Sequence, residues 1–133
     1  MDAPRPALAA SLAPWLSVRD RVRAVRWYEE ALGAGRAYYF DGGEAGIVAR
    51  LALGDAEFWV AEESPEHQNF SPESIGGGSV RLILTVDDPD ALFARVLAAG
   101  ATEIQPVSEG HGWPVGRLAD PFGHHWEIGR PLT

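Results

Sequence analysis

The chain repeats itself at an offset of 67 residues, and that periodicity limits what it can fold into more than any single motif does. Laid on the second half, the first half matches Asp20 to Asp87, Ala24 to Ala91, Ala31 to Ala98, Gly33-Ala34 to Gly100-Ala101, Arg50 to Arg117 and Trp59 to Trp126. Alanines align by chance between small helices, so those matches carry little. A shared glycine stop together with paired Arg and Trp positions is harder to produce by accident. Two copies of one supersecondary unit are expected.

Each half has the same order of elements. The first opens with an apolar run over residues 13–18, then Asp20, a residue type that caps a helix by accepting from a free backbone N–H. Val22, Val25, Tyr28 and Leu32 follow at helical spacing up to Gly33, a left-handed helix stop. Three extended runs come next, over residues 36–40, 47–53 and 56–61, separated by Asp41-Gly42-Gly43 and Gly54-Asp55 turns. The second half has a strand over 80–86 and Asp88-Pro89 as cap and first helical residue. Leu92, Phe93, Val96 and Leu97 form its buried stripe, and strands follow over 102–106, 115–119 and 125–128. The order is βαβββ twice. Residues 63–79, with Pro65, Pro72 and Gly76-Gly77-Gly78, are expected to be a linker.

Length and composition fit one α+β domain over residues 1–133, with module 1 at about 12–62 and module 2 at about 80–130. At 133 residues and 46% hydrophobic content a core needs no staples. The chain has no Cys, which excludes disulfides and thiolate chemistry. Every basic residue is Arg and Ala is abundant, as in proteins of GC-rich bacteria. The net charge of -8 argues against nucleic acid, whose binding needs clustered cations, and leans toward cationic or neutral ligands. No basic segment with a long apolar run marks a signal peptide or a membrane span, so the expectation is a cytoplasmic protein with no membrane partner. One four-stranded sheet with one helix leaves a sheet face bare. Two such units are therefore expected to pair their sheets around a concave, incomplete eight-stranded barrel-like groove where a small molecule would sit.

Several segments carry a resemblance. Trp15-Leu16-Ser17-Val18 with Asp20, the helix through Trp27-Tyr28 to Gly33, and above all residues 116–127 (GRLADPFGHHWE) resemble the vicinal oxygen chelate superfamily, which includes glyoxalase I, extradiol dioxygenases and bleomycin resistance proteins. The resemblance spans about residues 12–130 and is nearest to the small glyoxalase/bleomycin-resistance/dioxygenase-like branch. It implies a homodimer, with the groove built partly from both chains or with halves exchanged. It also implies, for catalytic members, a divalent metal held by one position on the first and one on the last strand of each unit. The motif puts the last of these at Glu127, and the offset gives Val60. Counting back from Val86-Asp87-Asp88 gives Arg81, and the offset gives Pro14, or Ala13 if the register slips by one. Neither set is a set of metal donors. The one-residue shift, to Ala13, Val80 and Trp59, does not help, and Glu57 and Glu62 fall on the wrong face or past the strand end. The expectation is no metal and no cofactor.

Arg81 and Glu127 are expected to pair where the ion would lie. His125 shares a face with Glu127, while His124 is expected in a turn and His67 and His111 at the surface. Phe58 and Val60 are expected on the inner face and Trp59 and Trp126 beneath the helices. Trp113, in the loop before the seventh strand, could stack on a planar ligand. Arg50 and Arg117 are expected to partner acidic turns. The ligand-binding candidates are thus Phe58, Val60, Arg81, Trp113, His125 and Glu127. The leading expectation is a bleomycin-resistance-like protein that sequesters a planar or cationic antibiotic without metal. The alternatives are a metal-dependent lyase, isomerase or dioxygenase, or a metal-independent enzyme with Glu127 or His125 as base.

Overall fold

A computed structural model describes residues 9–43, 46–110 and 112–131. The elements run β1 (Trp15–Val18), α1 (Arg21–Leu32), β2 (Gly35–Asp41), β3 (Ile47–Leu53), β4 (Ala56–Glu62), α2 (Pro72–Ile75), β5 (Arg81–Thr85), α3 (Pro89–Ala98), β6 (Thr102–Gly110), β7 (Trp113–Ala119) and β8 (His125–Gly129). They form two four-stranded sheets of identical topology, β1-β4-β3-β2 and β5-β8-β7-β6. In each, the first and last strands of the module pair in parallel and the remaining neighbours are antiparallel.

The helices start and stop where capping chemistry dictates. Asp20 accepts from the Arg23 N–H and Asp88 from the Ala91 N–H, each at 3.1 Å. Pro89 opens α3, and Gly33, at φ 77°, ends α1. Helix α1 buries Ala24, Val25, Tyr28, Ala31 and Leu32, while Val22, expected in that stripe, is mostly exposed.

The two modules are joined through their helix-side faces. Tyr28 of α1 lies edge-on to Phe58 of β4, at 5.3 Å between ring centroids, and is also packed against Phe122 and Trp126 of module 2. Phe58 and Trp126 meet directly at 5.5 Å. Hydrogen bonds cross the same boundary. The Trp27 indole donates to the Ala99 carbonyl at 2.8 Å, Arg95 to the Glu30 carbonyl at 2.7 Å, and His124 Nε2 to the Ser17 carbonyl at 2.9 Å. At the centre the Tyr28 hydroxyl donates to Asp120 Oδ2 at 2.5 Å, both groups buried.

The strands pair as two separate four-stranded sheets, and the apolar core they share lies on their helix sides. Their other faces stay open to solvent, with Trp15 and Tyr38 each 48% exposed and Ile83 62% exposed. The stretch over 63–79 joins the two modules. It carries a 3-10 turn at Pro65–His67 and the helix α2, capped by the buried Ser71. Glu63 accepts from the Ser71 N–H at 2.9 Å and the Ser74 hydroxyl at 2.8 Å, and these bonds hold its carboxyl below the ordinary glutamate value. The segment is pinned against Gly123, where an added Cβ would come within 2.8 Å of Pro72.

Burial, then the charge and hydrogen bond of Asp120, pushes the Tyr28 phenol well above its ordinary value. A raised folded-state value means this contribution to stability is fully present below about pH 10 and is lost as pH rises through the folded value. The chain has no lysine, so lysine titration does not blur that window. Urea midpoints measured from pH 8 to 11.5 should hold to about pH 10 and then fall, and Tyr28→Phe should flatten the fall. An equal fall in the variant would remove Tyr28 as its source.

Candidate functional site on the open sheet faces

Strand alternation sorts the candidates by face. On β4, Phe58 and Val60 are 4% and 0% exposed and belong to the core; Phe58 also lines a cavity wall, whereas Val60 does not. Trp59 takes the open face. It pairs in register with Trp15 of β1 and Arg50 of β3. The two indoles stack at 6.2 Å with an interplanar angle of 23°. Tyr38 lies edge-on to Trp59 at 6.0 Å, and the Arg50 guanidinium sits 5.4 Å over its ring. The first module thus presents an aromatic platform topped by one cation. Arg50 Nε lies 3.5 Å from Glu57 Oε2, an ion pair too long for a good hydrogen bond, and has no hydrogen-bond partner among the described residues.

The second module presents a polar open face. Glu127 is in register with Ile83 on one side and Arg117 on the other. Its Oε1 lies 3.3 Å from Arg81 Nη1, which brings together the two residues expected to pair. Arg81 is 52% exposed and Glu127 18%, so water screens the pair. Arg81→Met and Glu127→Gln should each cost about 1 kcal/mol or less, with a coupling no larger; a coupling near 3 kcal/mol in a double-mutant cycle would show that something further desolvates them.

Arg117 Nη2 lies 2.9 Å from His125 Nδ1. A guanidinium only donates, so Nδ1 is the accepting nitrogen and the neutral ring carries its proton on Nε2. In that tautomer His125 presents its Nε2–H to the open face. Trp113 is the first residue of β7, not a loop residue, and its ring lies over Gly129, where an added Cβ would be 2.5 Å from Cζ3. His124 binds the Ser17 carbonyl, the His67 Nδ1 is bonded to the Ser64 hydroxyl at 2.7 Å, and His111 lies outside the described residues.

Structural equivalence corrects the offset on which the metal positions rest. The cap Asp20 corresponds to Asp88, and the registered pair Trp15 and Trp59 to Ile83 and Glu127, all separated by 68 residues. The positions matching Arg81 and Glu127 are therefore Ala13 and Trp59. A methyl group, an indole and a guanidinium do not fit a divalent ion, and among the described residues no three His, Asp or Glu side chains gather within reach of one. Sequence reasoning missed Trp15, Tyr38, Arg50 and Trp59 as one cluster; the repeated Arg and the paired Trp were the available signal, assigned to the wrong face.

The sequence profile of the glyoxalase-like domain matches residues 15–129. The chain belongs to the glyoxalase-like family. It is 34% identical over 127 residues to an uncharacterised protein of Mycobacterium tuberculosis strain H37Rv, covering 92% of this chain and 75% of that one. Its fold is shared with TioX from Micromonospora sp. ML1, at 29% identity and a TM-score of 0.71, over 92% of this chain and 100% of TioX. A glyoxalase/bleomycin resistance protein/dioxygenase family enzyme from Burkholderia phytofirmans PsJN has the same fold, at 23% identity and a TM-score of 0.69, covering 92% and 100%. The resemblance to the glyoxalase-like branch of the vicinal oxygen chelate superfamily is thus borne out for this chain. Among the described residues no helix is long and apolar enough to cross a membrane.

Proposed function

We propose that the protein sequesters a planar small molecule, of the kind bleomycin resistance proteins hold, on the open sheet faces and without a metal. The observation that carries this reading is the Trp15, Trp59 and Tyr38 platform with Arg50 over it: large rings arranged to stack, left exposed on a sheet. A monomer gains nothing from such exposure. The second face, with Arg81, Glu127 and the His125 donor, supplies polar groups that would orient a ligand from the opposite side. Both faces are complete as a cleft only when a second copy brings one against the other, so the binding form is a homodimer. Tyr38, Phe40, Ile83 and Val80, all exposed, would be covered in it. The net charge of -8 favours a cationic or neutral ligand over an anionic one.

A thermal-shift screen of divalent metals and planar antibiotics on the purified protein tests the reading. A ligand at one hundred times its Kd should stabilise by about 2.7 kcal/mol. Trp59→Ala should abolish the shift, and metals should give none. One equivalent of divalent metal retained through dialysis would overturn it and favour the metal-dependent alternative. Light scattering at micromolar concentration should return twice the 14.4 kDa chain mass; a monomer would remove the composite cleft.

A further inference from the structure

A cavity of about 580 Å³ lies at the seam between the modules, apart from the aromatic platform. Its body is apolar. Leu53 and Phe58 come from the first module and Leu82, Leu84 and Trp126 from the second. Edge strand β5 forms one wall, and the hairpin joining β3 to β4 forms the other. That volume falls within the range of small-ligand pockets.

Three charged side chains line the opening: Asp55, Glu57 and Arg81. Arg81 is drawn toward Glu127, at 3.3 Å, and Glu57 toward Arg50, at 3.5 Å, whereas Asp55 makes no ion pair among the described residues. The uncompensated charge at the mouth is therefore one carboxylate on a two-residue turn whose Gly54 takes φ 60°. An apolar chamber with a lone anion at its entrance selects an apolar body ending in a cation, because a carboxylate ligand would meet Asp55 and Glu57 first. We propose that this seam cavity is a second ligand site, which takes a small aromatic amine with its ring against Phe58, Leu84 and Trp126 and its ammonium beside Asp55. The site does not depend on the platform or on a second copy, and it can fail while the platform reading stands.

The test uses 2-phenylethylamine, 2-phenylethanol and 3-phenylpropionate as probes, titrated into the full-length protein and followed by amide chemical-shift mapping. The amine should shift the amides of Ala56, Phe58, Leu82 and Leu84, binding about three- to tenfold more tightly than the alcohol, with the carboxylate weakest. Asp55→Asn, which suits the turn, should bring the amine down to the alcohol's affinity and leave the alcohol unchanged. Ala56→Trp, at an exposed position on the cavity wall, should block all three probes while the spectrum stays folded. Preference for the carboxylate, shifts confined to Tyr38, Arg50 and Trp59, or no shift at millimolar probe would each overturn the proposal.

Discussion

Asp120→Ala is expected to lower stability by about 4 kcal/mol or more, the largest loss from any single side chain outside the hydrophobic core. The carboxylate is 4% exposed and serves four donors. Oδ1 accepts from the Phe122 and His124 backbone N–H groups at 2.9 and 3.0 Å, and Oδ2 accepts from the Tyr28 hydroxyl and the Trp126 indole at 2.5 and 2.9 Å. Truncation leaves all four unpaired, three of them buried and the His124 N–H part-buried, and each buried group costs about 1–3 kcal/mol, though not additively. The substitution also cuts the polar link between Tyr28 in the first module and Trp126 in the second. Asp120→Asn should fall between. Its Nδ2 would face two donors at the Oδ2 position; the Tyr28 hydroxyl can rotate to accept, but an indole N–H cannot. Chemical denaturation of both variants checks this order. A loss below about 1.5 kcal/mol for the alanine variant would mean water replaces the carboxylate, and the modules would then be held by apolar contact alone.

The same loop explains why the sequence repeat disclosed the fold more fully than the site. Element order, helix caps, the Gly33 stop and strand pairing within each module follow from local chemistry, and local chemistry is repeated in both halves. The face of each strand depends on counting across a turn. In module 1, Leu53 pairs with Ala56 around Gly54-Asp55. In module 2, the Asp120 N–H bonds the His124 carbonyl around Pro121-Phe122-Gly123, one residue more. That extra residue lets the Phe122 ring enter the core, fully buried, beside Tyr28. It also returns the offset from 67 in β3 and β7, where Arg50 matches Arg117, to the 68 that already relates β1 to β5. Since side chains alternate with a period of two, one residue moves Trp59 from the helix side to the open side and Phe58 and Val60 the other way. Closure was illegible for a different reason: nothing in the pattern says whether two bare sheet faces cover each other or turn outward.

The pair Phe58→Ala and Trp59→Ala separates the two registers with a large difference in effect. Phe58 fills the junction between Tyr28 and Trp126, with ring centroids 5.3 and 5.5 Å away, and its truncation should cost about 3–5 kcal/mol through lost burial and the cavity left behind. Trp59 is half-buried and held by Trp15, Tyr38 and Arg50 on an open face. Removing it forfeits stacking worth about 1 kcal/mol but opens no enclosed void. The uncorrected 67-residue offset, which puts Trp59 beneath the helix, demands the reverse order. Urea unfolding of the two variants therefore measures which face each residue occupies. Ligand titration measures the consequence, because Trp59→Ala should keep its fold and lose the planar ligand, whereas Phe58→Ala should lose stability and bind normally wherever it remains folded. A more damaging Trp59 substitution would return the platform to the core and leave the proposed binding face without its aromatic surface.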